Sequence, residues 1–502
     1  MGKSPCRCEG QPASGSRQIA FCCVFAVDFV PSTARLAEHM AFNSLDFLVF
    51  IALFALLWPC LKTRRLTRYW LITLASLIFY GWWDWRFLIL IVISGTTDFF
   101  TSIGLERYKT PWARKALLGA SIAVNLGTLA IFKYAPFVAG TVDDALGTTL
   151  KANIPAFMLI LPLGISFYTF QSLSYTIDVY RGHIKATRSY IHFFAFLSLF
   201  PQLVAGPIIR ATSLLWRMEA PPHTTESQRF AALRLIVAGY MQKLLVADNL
   251  AIYVDKAFAN PQASTGTLFW WGVMAAFAVQ IYFDFAGYSN IARGLLKYMG
   301  WNITANFRFP YFSRGHREFW NRWHISLSHW FRDYVYIPLG GSHRSKAKQY
   351  IALWTTMLAS GLWHGANWTF LAWGALHAAF VSIERATKWP QHAPKIVAIA
   401  VTALLTTIAW VFFRAANFSD AAHIIRNMLS PQNAAHVDID FPAASALFFV
   451  AFEAYSLYLP LRALARSHPR AMRCIETVLL AAGLAIAITF RGPGHGFIYF
   501  QF

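Results

Sequence analysis

Apolar residues run along this chain in long blocks, separated by short polar loops. The blocks fall near residues 45–61, 70–83, 87–105, 116–138, 154–177, 191–209, 233–252, 269–285, 350–383, 396–413, 441–459 and 477–490. Most approach the roughly 20 residues that a helix needs to cross a bilayer core of about 30 Å. The pattern predicts an all-α, polytopic integral membrane protein with about ten to twelve transmembrane or re-entrant helices. Two blocks depart from simple spans. Pro201, Gly206 and Pro207 interrupt 191–209, so that block is expected to be re-entrant, because irregular backbone at membrane depth needs protein or a water-filled cavity around it. The block at 350–383 is too long for one span, and basic sequence flanks both its ends, SHRSKAK before and ERATKWPQHAPK after. A hairpin breaking at GLWHGAN is expected, where two glycines and Asn367 permit a turn.

Charge orients the spans. KTRRLTR, ERYKTPWARK, RGHIKATR and LRALARSHPRAMR are strongly basic, whereas WDWR and GTVDDALGTTLKAN are not. Alternate loops are therefore assigned to the cytoplasm and the N-terminal end of the first span to the periplasm. The formal net charge of +21 would point to nucleic acid in a soluble protein. Here Lys and Arg sit in loops between 57% hydrophobic sequence, where they serve as topology signals and lipid contacts, and no nucleic-acid partner is expected. Of six cysteines only Cys60 and Cys474 fall in the membrane body, so no disulfide framework is expected. Residues 1–39 differ from the rest, and MAFNSLDFLVF from Met40 reads as the start of the membrane domain. The expected organisation is an extension at 1–39, arising from a mis-assigned start, and a single domain at 40–502.

Candidate chemistry concentrates in 314–368. FWNRWHISLSHWFRDY places Trp320, Trp323, His324, Leu327, Phe331 and Tyr334 at three- and four-residue spacing, which predicts one amphipathic helix lying at the membrane surface. His364 lies in an apolar run whose only other readily ionisable side chain is His377. An ionisable group there is a functional candidate, and His377 is read as structural. Metal binding is not expected: no HExxH occurs and neighbouring Cys or carboxylate ligands are missing. Among the acids in or beside apolar runs, Asp84, Asp98, Asp178, Asp284 and Glu453, the strongest candidate is Asp284. A GxSxG nucleophile elbow is absent, which favours a base acting directly over an acyl-serine.

These motifs, with PLGISFYTFQSLSYTIDVYRG, FPQLVAGPI, KLLVADNLA, QIYFDFAGYSNIARG and the terminal FIYFQF, resemble the membrane-bound O-acyltransferase (MBOAT) family, in its alginate O-acetylation subgroup, from about Met40 onward. Asn290 stands where relatives often carry Asp, and Asn321 where they often carry Arg. The resemblance implies an acyltransferase of the bacterial inner membrane that takes an acetyl group from a cytoplasmic donor, acetyl-CoA, with no bound cofactor. It implies a periplasmic SGNH-type partner and, through it, an exopolysaccharide acceptor. His364 is then the principal base and His324 a second active-site histidine. Asn321, Arg322, Arg332 and Asp284 are candidate substrate contacts, with Arg314 and Arg317 on the same basic stretch. The rival expectation is a transporter of an anion or lipid-linked sugar using buried histidines as proton carriers. The sequence offers no paired interrupted helices in its favour.

Overall fold

The computed structural model describes residues 40, 42, 44–203, 206–263, 266–430, 469–492 and 496–498. The extension at 1–39, the block at 441–459 and Glu453 lie outside the described residues. The chain divides after Glu38, and every described helix belongs to the unit beginning at His39.

The first helices are α1 (Leu45–Leu61), α2 (Arg65–Asp84), α3 (Leu88–Arg107), α4 (Pro111–Leu129) and α5 (Ala135–Leu146). Asp84 ends α2 by accepting the Arg86 N–H at 3.0 Å, and a 3-10 turn, Trp85–Phe87, leads into α3. A π-helical turn, Ala130–Tyr134, joins α4 to α5 without breaking the rod. Then come α6 (Ile165–Arg181), the short α7 (Tyr190–Leu197), α8 (Phe200–Leu203) and α9 (Ala211–Leu214), and the rod made of α10 (Glu226–Tyr240), the π-turn Met241–Ala247 and α11 (Asp248–Ala259). The long α12 (Thr267–Tyr298) leads to α13 (His316–Arg322), α14 (Ile325–Phe331) and a third π-turn, Arg332–Tyr336. The described chain closes with α15 (Lys346–His364), α16 (Trp368–Thr387), α17 (Trp389–His392), α18 (Lys395–Arg414), α19 (Phe418–Leu429) and α20 (Pro469–Thr489). Among the described residues five continuous helical stretches are long and apolar enough to cross a membrane. Their outward Trp70, Ile78 and Ile396 are exposed, as are Leu45 and Leu56 of the shorter apolar α1, as a surface covered by acyl chains requires.

Two expectations need correction. The block at 154–177 does not form one span: Pro155, Pro162 and the left-handed Gly164 (φ 69°) hold 154–164 out of α-helix, and α6 starts only at Ile165. This helix is covered on every side and carries Gln171, Ser172 and Ser174 inside the core. The block at 191–209, not expected to be a simple span, yields α7 and α8, of 8 and 4 residues, too short to cross. The second correction concerns the stretch from 314 to 334, which is two helices and not one. Its aromatic face is buried: Phe319, Trp320, Trp323, Trp330 and Phe331 all belong to the core.

Two close helix contacts set the frame. α10 and α12 meet at Gly239, Gly287 and Gly294; a Cβ on Gly239 would come within 2.6 Å of the Gly287 carbonyl oxygen. α15 and α16 form the expected hairpin, with Gly361 and Gly374 at their contact. A Cβ on Gly361 would lie 2.3 Å from the Phe370 carbonyl oxygen, and one on Gly374 2.5 Å from that of Met357.

Candidate active site

α15 ends at His364, and the turn Gly365–Ala366–Asn367 follows as expected. Asn367 starts α16: its Oδ1 accepts the Thr369 N–H at 3.1 Å, and its Nδ2 donates to the Ala416 carbonyl at 2.8 Å. Gly365 is required by space, because a Cβ there would stand 2.0 Å from the Phe370 ring. The last carbonyls of α15, which lack helical partners, are met from another helix. Lys133 Nζ donates to the carbonyls of Trp363 at 2.6 Å and His364 at 3.1 Å, and Tyr134 Oη donates to that of Leu362 at 3.0 Å. A cation at a helix C-terminus is also favoured by the helix dipole.

His324 occupies a different kind of break. It stands between α13 and α14 with φ 41° and ψ 54°, a left-handed conformation that costs free energy in any residue with a Cβ. Cross-chain hydrogen bonds impose it: Arg308 N–H donates to the Arg322 carbonyl and Ile325 N–H to that of Asn306, both at 2.9 Å. The backbone groups that would continue the helix are thus committed to residues 306–308. The N-terminus of α13 is fixed to α16, since Glu384 accepts the Arg317 N–H at 3.1 Å.

The two breaks bring the histidines together. Their ring centroids are 6.5 Å apart, and both side chains are buried. His364 packs against Trp363, Trp373 and Phe413, with centroids 5.0, 5.1 and 5.3 Å away. His324 meets Phe285 edge-on at 4.6 Å and Trp363 at 5.9 Å. Water is therefore largely excluded around both imidazoles.

A cleft of about 260 Å³ lies beside the last turns of α15 and reaches Ser360, one turn before His364. Trp320, Asn321 and Ser328 line one wall, Thr356 and Ser360 of α15 the other, with Arg317, Arg332 and Arg385 among its basic residues. Thr356, Ser360 and His364 recur every four residues, so the cleft follows the helix face that ends in His364. Arg385 Nη2 donates to Tyr336 Oη at 3.2 Å, while its buried Nη1 has no hydrogen-bond partner. Arg332 lies against Asp333, with Nε to Oδ1 at 2.6 Å.

The remaining expected contacts separate from this cleft. Arg322 pairs with Glu318 at 2.5 Å and lines a second cleft of about 480 Å³ with Arg314 and Lys395. The basic stretch is thus split by α13. Asp284 is bound to Lys243 at 2.7 Å and accepts the Ile498 N–H at 2.7 Å, so its carboxylate holds the C-terminal segment. Asp98 accepts from Ser121, Ser172 and Asn125 and ties α3, α4 and α6 together. His377 is buried between Trp320 and Trp373, with centroids at 5.1 and 4.8 Å. No group of three or more potential metal ligands occurs among the described residues. Sequence reasoning missed Lys133, Asn306, Ser326 and Arg385. Lys133 had a signal, being the sole charged residue in 116–138.

Comparison with known sequences settles what kind of protein carries this pair. The sequence model of the MBOAT, membrane-bound O-acyltransferase family matches residues 179–418, which include both histidines. The protein named "Probable alginate O-acetylase AlgI" from Pseudomonas syringae pv. tomato is 42% identical over 368 residues, 72% of this chain and 70% of its own. This chain belongs to the MBOAT family. The Pseudomonas aeruginosa protein also named "Probable alginate O-acetylase AlgI" is 41% identical over 367 residues, covering 72% of this chain and 69% of its own. A peptidoglycan O-acetyltransferase of Helicobacter pylori is 31% identical over 399 residues, 73% of this chain and 75% of its own. The MBOAT protein described here is a multi-pass, membrane-bound acyltransferase. The transporter alternative draws no support from these relatives.

Proposed function

We propose that this MBOAT protein takes an acetyl group from acetyl-CoA on the cytoplasmic side of a bacterial inner membrane and passes it on for O-acetylation of an exopolysaccharide, with a periplasmic SGNH-type partner completing the transfer. The observation that carries this reading is the pair of buried imidazoles, one of them a single helical turn beyond Ser360, which lines a cleft that also holds three arginines. Arg317, Arg332 and Arg385 suit a diphosphate, because guanidinium groups bind phosphate oxygens through paired N–H donors. The apolar walls nearer His364 suit a thioester and keep water from hydrolysing it.

In the transfer, an acceptor hydroxyl attacks the thioester carbonyl carbon, the C–O bond forms and the C–S bond breaks. A neutral imidazole of His364 takes the hydroxyl proton, which finally resides on the leaving thiol. His324 shares the site as a second proton-handling group. The polysaccharide acceptor is inferred from the names of the relatives, two alginate O-acetylases and one peptidoglycan O-acetyltransferase. The test is release of free CoA from acetyl-CoA by the purified protein in lipid nanodiscs. Release that disappears in His364→Ala, at equal protein, supports the reading; acetyl-CoA left intact by the wild-type protein together with its native partner overturns it.

A further inference from the structure

His324 is bracketed by hydrogen bonds whose donors and acceptors can be assigned one by one. The Ser326 backbone N–H, which can only donate, points at the side-chain oxygen of Asn306 at 3.1 Å, and this fixes the amide with Oδ1 toward Ser326. The Ser326 hydroxyl lies 3.0 Å from the same oxygen. An amide oxygen only accepts, so the single hydroxyl proton goes to Asn306. One lone pair of Ser326 Oγ is taken by the Ile208 N–H, at 3.0 Å. The other faces Nδ1 of His324 at 3.5 Å. With its proton committed, Ser326 Oγ meets that nitrogen only as an acceptor. That contact, at the outer edge of hydrogen-bond range, favours the tautomer of His324 with its proton on Nδ1. Nε2 is left bare, buried and without a hydrogen-bond partner.

We propose that Asn306, acting through Ser326, is a positioning residue that holds His324 in the Nδ1–H tautomer and so presents Nε2 to the site as a proton acceptor. The same asparagine also holds the strained turn, since its backbone carbonyl accepts the Ile325 N–H. Asn306 is 2% exposed, and Nδ2 reaches Ser289 Oγ at 3.4 Å, so the amide has no freedom to flip without breaking these bonds. This inference rests on the reading of His324 as an active-site histidine.

The test uses the purified full chain in nanodiscs with acetyl-CoA as probe, following CoA release for Ser326→Ala, Ser326→Thr and Asn306→Ala, alone and combined with His324→Ala. Imposing the wrong tautomer on a catalytic histidine costs about 10⁴ where the partner is a carboxylate, and a neutral hydroxyl at longer range should cost about tenfold. Ser326→Ala and Asn306→Ala are expected to lower kcat by about that factor, to leave KM for acetyl-CoA unchanged, and to add no loss in His324→Ala. Ser326→Thr, which keeps the hydroxyl, is expected to retain the wild-type rate. Wild-type kcat in Ser326→Ala, while His324→Ala is impaired, overturns the proposal, as do losses that multiply with His324→Ala. Full activity in His324→Ala would instead remove the reading of the site itself. Should Asn306→Ala fail to accumulate, Ser326→Ala decides alone, because it leaves the backbone bonds to Asn306 in place.

Discussion

The ammonium group of Lys133 donates to the carbonyl oxygen of Trp363 at 2.6 Å, joining positions 230 residues apart in sequence. With the bonds of Lys133 to His364 and of Tyr134 to Leu362, it satisfies the last carbonyls of the helix bearing His364. Lys133→Met should leave the terminal carbonyls of α15 unsatisfied in a dry setting. A lost hydrogen bond to a charged group costs about 1.5–3 kcal/mol. CoA release is expected to fall about tenfold or more, with Lys133→Arg recovering part of it. Equal activity per molecule in Lys133→Met would show that the end of α15 needs no cation.

The two site histidines should be unequal to their neighbour His377. His364→Ala is expected to lower acetyl transfer by about 10² to 10⁴ while the protein still accumulates. His324→Ala should be impaired, with residual turnover. His377 fills a space between Trp320 and Trp373, so His377→Ala leaves a cavity and should lower stability, not chemistry. Thermal unfolding in detergent beside specific activity separates these cases; unchanged specific activity in His364→Ala would refute the assignment of the base.

Two glycines of the hairpin make distinguishable predictions. Gly365→Ala would press on a side chain, the Phe370 ring, whereas Gly361→Ala would press on the Phe370 backbone. Both should lose activity. Adding Phe370→Ala should restore function to Gly365→Ala and not to Gly361→Ala, measured as polymer acetyl content normalised to membrane protein. Rescue of both, or of neither, would contradict the stated clashes.

Orientation is testable through the first rods. The basic KTRRLTR loop and the weakly charged GTVDDALGTTLKAN loop assign Arg64 and Asp144 to opposite sides. All six native cysteines, the exposed Cys60 and Cys474 among them, must be replaced first. Single cysteines at Arg64 and Asp144 should then react from the cytoplasmic and periplasmic sides respectively. Labelling of both from one side would invalidate the assignment.

The hairpin, the glycine-flanked His364 and the family motifs were legible because each is local: an over-long apolar run, paired basic flanks and a Gly–Asn break. The division of 314–334 was not. Its three- and four-residue spacing continues from Trp320 to Tyr334 straight through the left-handed His324, and the bonds that force that turn come from Asn306, remote in the pattern. Lys133 was hidden for a related reason. It lies in a π-turn, where one extra residue redirects a side chain without disturbing the apolar run around it. The separation of Arg322 from Arg317 depends on what packs against each face of α13, which a one-dimensional reading does not contain.

The hairpin arm that ends in His364 also acts as a ruler. At 1.5 Å per residue its 19 residues measure about 28 Å, nearly the thickness of a bilayer core. The cleft is lined by Ser342, just ahead of α15, and by Leu353, Thr356, Met357 and Ser360 of this arm, the last one turn short of the histidine. Under the proposed reading, with the donor's phosphates at the arginines and the base at the end of the arm, the depth of the histidine selects for the length of the carrier, so that a thioester on a short stem would be held at the mouth with its carbonyl out of reach.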